Sequence, residues 1–199
     1  MLTEKRLSQT TTFSDKSEII DTIDYILMNI VDYSSTIDER TPSIFDNPSL
    51  FDSNESNSTS CSSIESKDSG NCDSTFLNKI DKYDFNTFIK KFSKNFQLDE
   101  NTLILSLMNL DKILKDNFII TEKNVGYLFY TSMVVSQKFY EDEPFDNKIY
   151  AKYVGISSTE LTQLELEFLE MMGFNLFVPE EKFFNYKNRM ASLHNKNFN

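Results

Sequence analysis

A chain of 199 residues that is 39% hydrophobic and 14% aromatic, with 4 Gly and 4 Pro, can bury one core and lacks the turn formers of a β-rich fold. The formal net charge is −11: residues 1–76 carry 14 acidic and 5 basic side chains, residues 77–199 carry 17 and 15. Neither part has the basic excess that gains from counterion release at phosphates, so no nucleic-acid partner is expected. No apolar run reaches the roughly 20 residues that span a bilayer, so no membrane partner is expected either.

Residues 1–13 read as a flexible, polar N-terminus. From 14 to 33, Ile19, Ile20, Ile23, Ile26, Leu27, Ile30 and Val31 recur at helical spacing. Ser14 is the expected cap of this amphipathic helix, with Asp15 and Glu18 in its first turn and Asp21, Asp24 and Asp32 largely opposite the apolar stripe. Residues 34–75 change character. The run SNESNSTSCSSIESKDSGNCDS is rich in Ser, Asn and acid and cannot offset its ordering entropy, so 34–75 is expected to be a disordered insertion. It holds the only cysteines, Cys61 and Cys72, too few for a zinc site and expected to be reduced thiols of an intracellular protein, nuclear or cytoplasmic. It also holds two candidate phosphorylation sites: Thr41, followed by Pro42, and Ser62, followed by Glu65 three residues on.

The main domain is expected over 76–190, with 191–199 a flexible C-terminus. Its first helix runs from Asp84 to Phe96, with Phe85, Phe88, Ile89 and Phe92 on one face. Asp99 caps the second, through Leu103, Leu107, Leu110, Ile113 and Leu114. Thr121 is the expected cap of the third, where Val125, Leu128, Phe129, Met133 and Val134 demand burial around most of the circumference. A short fourth helix over 147–153 ends at Gly155. Ser157 with Glu160 forms a capping box for the fifth, whose buried side includes Leu161, Leu164, Phe168, Leu169 and Met172. Pro179 opens a final helix through Phe183, Phe184 and Tyr186. The class is all-α.

Several of these segments resemble a cyclin box, a five-helix bundle around a buried third helix, and specifically the P-type branch of yeast phosphate-pathway cyclins and plant P/U-type cyclins. NTLILSLMNLDKIL is similar to the family pattern T-L-x-L-x-x-x-x-L-D-R-x-L, which makes Asp111 a structural anchor. SQKFYEDE resembles A-x-K-F-x-E/D-D, FDNKIYAKYVGIS resembles the P-type signature, and LTQLELEFLEMMGFNLFV resembles L-N-x-L-E-L-x-F-L-x-x-L-x-F-x-L. The resemblance implies a regulatory subunit that binds a cyclin-dependent protein kinase as a heterodimer rather than a homo-oligomer. It further implies that Lys138 and Glu165 reach the kinase, with Tyr150 and Tyr153 at the rim. Where cell-cycle cyclins have an M-R-A-I-L-like groove motif, this chain reads Asp81-Lys82-Tyr83-Asp84-Phe85, so no such substrate groove is expected. Lys82 takes the place of the motif's arginine as partner to Asp111.

Outside the resemblance the same residues have plain readings. A lysine ending an apolar helix is usually a snorkelling surface group, and Glu165 alone is an ordinary solvated helix residue. Tyr150 and Tyr153 pack the short helix. His194, the only histidine, sits in a polar C-terminus and reads as exposed, offering no general base. With no phosphate loop, metal cluster or paired nucleophile, no cofactor and no enzymatic activity are expected. The rivals to a kinase regulator are a kinase-independent scaffold of the same fold and a DNA-binding transcription factor, the latter disfavoured by a single box without basic excess. The process served, cell cycle, nutrient signalling or transcription, is not encoded in these motifs.

Overall fold

The computed structural model describes residues 12–34, 85–114, 120–121 and 124–198. Thr41, Cys61, Ser62, Cys72 and Lys82, and the expectations attached to them, lie outside the described residues. Among the described residues there are seven helices and no strand: α1 (Lys16–Ser34), α2 (Phe85–Asn95), α3 (Glu100–Leu114), α4 (Val125–Tyr140), α5 (Asn147–Val154), α6 (Ser158–Met171) and α7 (Glu180–Phe198). The fold class is all-α, as its periodicity predicts.

The bundle is organised around α4. Every residue from Val125 to Gln137 is buried, so this helix touches protein all round. On one side α3 packs against it, and on another α6. Two polar groups that α4 carries inward are matched across the contact with α3: Ser132 Oγ donates to Ser106 O at 2.6 Å, and Asn109 Nδ2 donates to Ser136 Oγ at 3.0 Å. Buried polar groups would each destabilise the fold if left unpaired, so such bonds fix the register of α3 against α4.

Phe85, Phe88, Ile89 and Phe92 follow i, i+3, i+4, i+7 and are all buried, making α2 the aromatic wall of the core. Phe92 meets Phe96 at 4.4 Å between centroids and Tyr130 edge-on at 5.6 Å. Asp99 caps α3, accepting from Thr102 N at 2.6 Å. The expected capping box holds too: Glu160 N donates to Ser157 Oγ at 3.1 Å, and Ser157 N to Glu160 Oε2 at 2.7 Å. Gly155 ends α5 at φ 79°, a left-handed value that disfavours any residue with a Cβ.

Two caps differ from expectation by local geometry. On α1 the cap is Asp15, whose Oδ1 accepts from Glu18 N at 3.1 Å, while Ser14 N and Oγ donate to the Glu18 carboxylate. Both residues are cap formers, and the chain uses the second. On α4 the cap position is Asn124 rather than Thr121. The Asn124 side chain caps no helical N–H and instead accepts from Thr121 N at 2.7 Å.

The C-terminus departs most. Residues 191–198 continue α7 instead of fraying, and His194 is 6% exposed rather than open to solvent. Met190, Ala191 and His194 form a narrow buried stripe in the more polar second half of this helix, and α1 lies against it. His194 Nδ1 and Thr22 Oγ1 are 3.0 Å apart. Because Thr22 Oγ1 already donates to Glu18 O at 2.7 Å, its remaining role is to accept from His194 Nδ1–H. Phe13 and Phe198 flank the imidazole. On its other side α1 is tied to α2 through Asp21, which meets Asn86 Nδ2 at 2.8 Å and Lys90 Nζ at 3.1 Å. These bonds hold the Asp21 carboxyl below its usual range despite partial burial. The N-terminal helix is thus part of the packed body.

Candidate functional site

Lys138 and Glu165 are brought together. The apolar run of α4 stops at Val135, and one turn later the helix emerges, placing Lys138 in its last turn where a cation suits the helix dipole. Glu165 sits midway along α6, flanked on its inner side by Leu161, Leu164 and Phe168. Lys138 Nζ lies 2.5 Å from Glu165 Oε1, with the side chains 28% and 11% exposed. A carboxylate so covered needs partners, and it has a second: Asn147 Nδ2, the first residue of α5, donates to Glu165 Oε2 at 2.8 Å. Asn147 Oδ1 in turn accepts from Lys138 Nζ. Three helices therefore contribute one side chain each to a closed ring, and Asn147 is the member that no sequence motif above singles out.

Beside the ring lies a cleft of about 390 Å³ lined by Val135, Lys138, Phe139, Thr162, Glu165, Leu166, Leu169 and Leu176. On α6 the residues Thr162, Glu165, Leu166 and Leu169 again follow i, i+3, i+4, i+7, so this helix has two stripes: one faces the core and the other the cleft. Phe139 and Leu166 are each 50% exposed, and Phe174 and Phe177 project from the segment after α6. That segment is held by its backbone. Tyr140 Oη donates to Leu176 O at 2.7 Å, and Lys112 Nζ donates to Asn175 O at 2.8 Å. Phe139 and Leu166 thus leave exposed apolar surface in the same cleft as the charged pair.

The remaining candidates fall elsewhere. Tyr150 is fully buried and cannot line a rim: Phe92, Phe96 and Phe145 surround its ring, and its hydroxyl donates to Gln137 Oε1 at 2.7 Å. Burial pushes that hydroxyl up to about 12. The expectation of partner contact for Tyr150 is therefore corrected: its ring turns into the core. Tyr153 is half-buried against Phe92 and Phe96. Asp111 accepts from Tyr186 Oη at 2.6 Å, linking α3 to α7 and raising the tyrosine hydroxyl well above its ordinary value, with burial the larger cause.

A family model described as Cyclin matches residues 24–176. Cyclin-U4-3 of Arabidopsis thaliana is 42% identical over 85 residues, which are 42% of this chain and 39% of that protein. Cyclin-P3-1 of Oryza sativa subsp. japonica is 32% identical over 100 residues, 50% of this chain and 42% of that protein. PHO85 cyclin-7 of Saccharomyces cerevisiae is 36% identical over 81 residues, 41% of this chain and 28% of that protein. The chain spans less than half the length of each of these three relatives.

Proposed function

The chain belongs to the cyclin family, with its relatives among the P/U-type members, and from that premise we propose that it is the activating regulatory subunit of a cyclin-dependent protein kinase. The observation that carries this reading is the charged ring at the edge of the apolar cleft between α4 and α6. Lys138 offers one further N–H and Glu165 further lone pairs, a donor and an acceptor side by side, which suit a backbone carbonyl and amide of a partner segment. Charge-assisted bonds of that kind contribute about 1.5–3 kcal/mol each. The adjacent cleft takes an apolar side chain of the same segment, and burial of Phe139 and Leu166 supplies the non-directional part of the affinity.

Activation follows by population shift. A kinase works only when its regulatory helix is held inward so that its Lys–Glu ion pair and metal site form. A surface that binds this arrangement and not the open one raises its population by the ratio of the two affinities. The protein contributes a template and performs no chemical step.

The test is recovery of the tagged chain from its own cells, with identification of any bound kinase and assay of its activity on a generic substrate. The comparison is the double variant Lys138→Glu/Glu165→Lys, which keeps an internal ion pair while reversing the donor and acceptor shown to the partner. We expect an active kinase with the wild-type chain and none with the variant. Equal recovery by both, or a wild-type complex without kinase, would overturn the reading.

A further inference from the structure

We propose that Asn147 is a positioning residue for the partner-binding site, setting the direction in which Lys138 and Glu165 present their free valences. The inference rests on the kinase-binding reading of that pair. Asn147 is the first residue of α5, whose start is fixed by Asp146: its side chain accepts from Lys148 N at 3.3 Å, and its carbonyl accepts from Ile149 N at 2.9 Å. Its amide has only one orientation that fits. Oδ1 faces the Lys138 ammonium, while Nδ2 donates both to Glu165 Oε2 at 2.8 Å and to Thr162 Oγ1 at 3.2 Å. Thr162 Oγ1 gives its own proton to Ser158 O at 2.9 Å, so it faces Asn147 as an acceptor. A flipped amide would point N–H groups at an ammonium and an oxygen at a carboxylate.

An amide is suited to this place because it accepts from a cation and donates to an anion at once. Aspartate lacks the donor and sets a second carboxylate beside Glu165. Alanine leaves the ion pair but frees its geometry. Two of the three Lys138 N–H groups are committed within the ring, which leaves the third for a partner. The same bond from Asn147 fixes the plane of the Glu165 carboxylate. Affinity is raised by cutting the ordering that a flexible lysine would otherwise undergo on binding.

The experiment measures affinity for a purified panel of cyclin-dependent kinase subunits, using the wild-type chain, Asn147→Ala, Lys138→Ala and the double variant. For the kinase that binds the wild type, Asn147→Ala should weaken Kd roughly three- to tenfold with an unchanged melting temperature. On the Lys138→Ala background the same substitution should add no more than about twofold. Equal losses on both backgrounds, or none on either, would overturn the proposal. Asn147→Asp keeps the size and a residue suited to a helix start, and carries the same test if the alanine variant does not fold. If no kinase of the panel binds the wild type, the functional reading fails, and Asn147 is judged separately by ¹⁵N relaxation of the Lys138 ammonium in the free chain. It should be ordered in the wild type and mobile in Asn147→Ala; equal mobility would overturn the positioning role.

Discussion

The α1–α7 flank and the α4–α6 face use the same device, a polar link between helices, to opposite ends. On the flank, His194 and Thr22 meet at 3.0 Å beneath Phe13 and Phe198, and both are buried. The linked groups themselves are covered, although the Phe198 ring is 48% exposed on its outer side. On the face, Lys138, Asn147 and Glu165 also satisfy one another, yet Phe139 and Leu166 beside them remain half exposed. A polar link whose own groups are buried belongs to the fold. One that leaves its lysine 28% exposed at the edge of an apolar cleft is where the proposed function seats its partner, and the difference lies in what surrounds the bond rather than in the bond.

The comparison can be broken first at what both regions share. Phe92 is fully buried between α2, α4 and α5, and Phe92→Ala should cost about 3–5 kcal/mol in urea unfolding, removing flank and face together. Leu166→Asp should separate the regions. It should weaken kinase binding by about 2 kcal/mol or more while leaving the unfolding midpoint nearly unchanged, because the side chain is already half in water. The mirror case is His194→Ala, which should lower stability by about 1–3 kcal/mol, through lost packing and a hydroxyl left without its donor, and leave kinase affinity alone.

Tyr150 sharpens the contrast by pH. Its hydroxyl is raised from its ordinary value to about 12 in the fold, so the neutral form is the one the fold stabilises. That contribution is complete below the unfolded value near 10 and is lost as pH rises through about 12. Melting temperatures of wild type and Tyr150→Phe should therefore converge at alkaline pH. The smallest effect is expected at Asp21 and Lys90, a partly exposed pair at 3.1 Å, where Lys90→Ala should change stability by about 0–1 kcal/mol.

Legibility followed the range of the interaction. The helices α2, α3, α4 and α6 were readable because their apolar periods and the Asp99 and Ser157–Glu160 caps are local in sequence. The Lys138 and Glu165 pair was reachable only through resemblance, since neither residue differs by itself from a solvated surface group. Asn147 was not readable: its three partners come from residues 9, 15 and 18 positions away on other helices. The second half of α7 was hidden for another reason. Its buried stripe of Met190, Ala191 and His194 is thin, and the Asn, Ser and Lys residues around it dominate the composition. Tyr150 and Tyr153 show the same limit, because two rings on one short helix do not declare which turns inward until α2 is in place.

The most direct test of the account places a photo-crosslinking amino acid at Leu166 on the face and, separately, at Asn195 on the flank, and asks in cells where a cyclin-dependent kinase is captured. The account predicts capture from position 166 and none from 195. Capture from 195 alone, or from neither position while the chain still co-purifies with an active kinase, would contradict it.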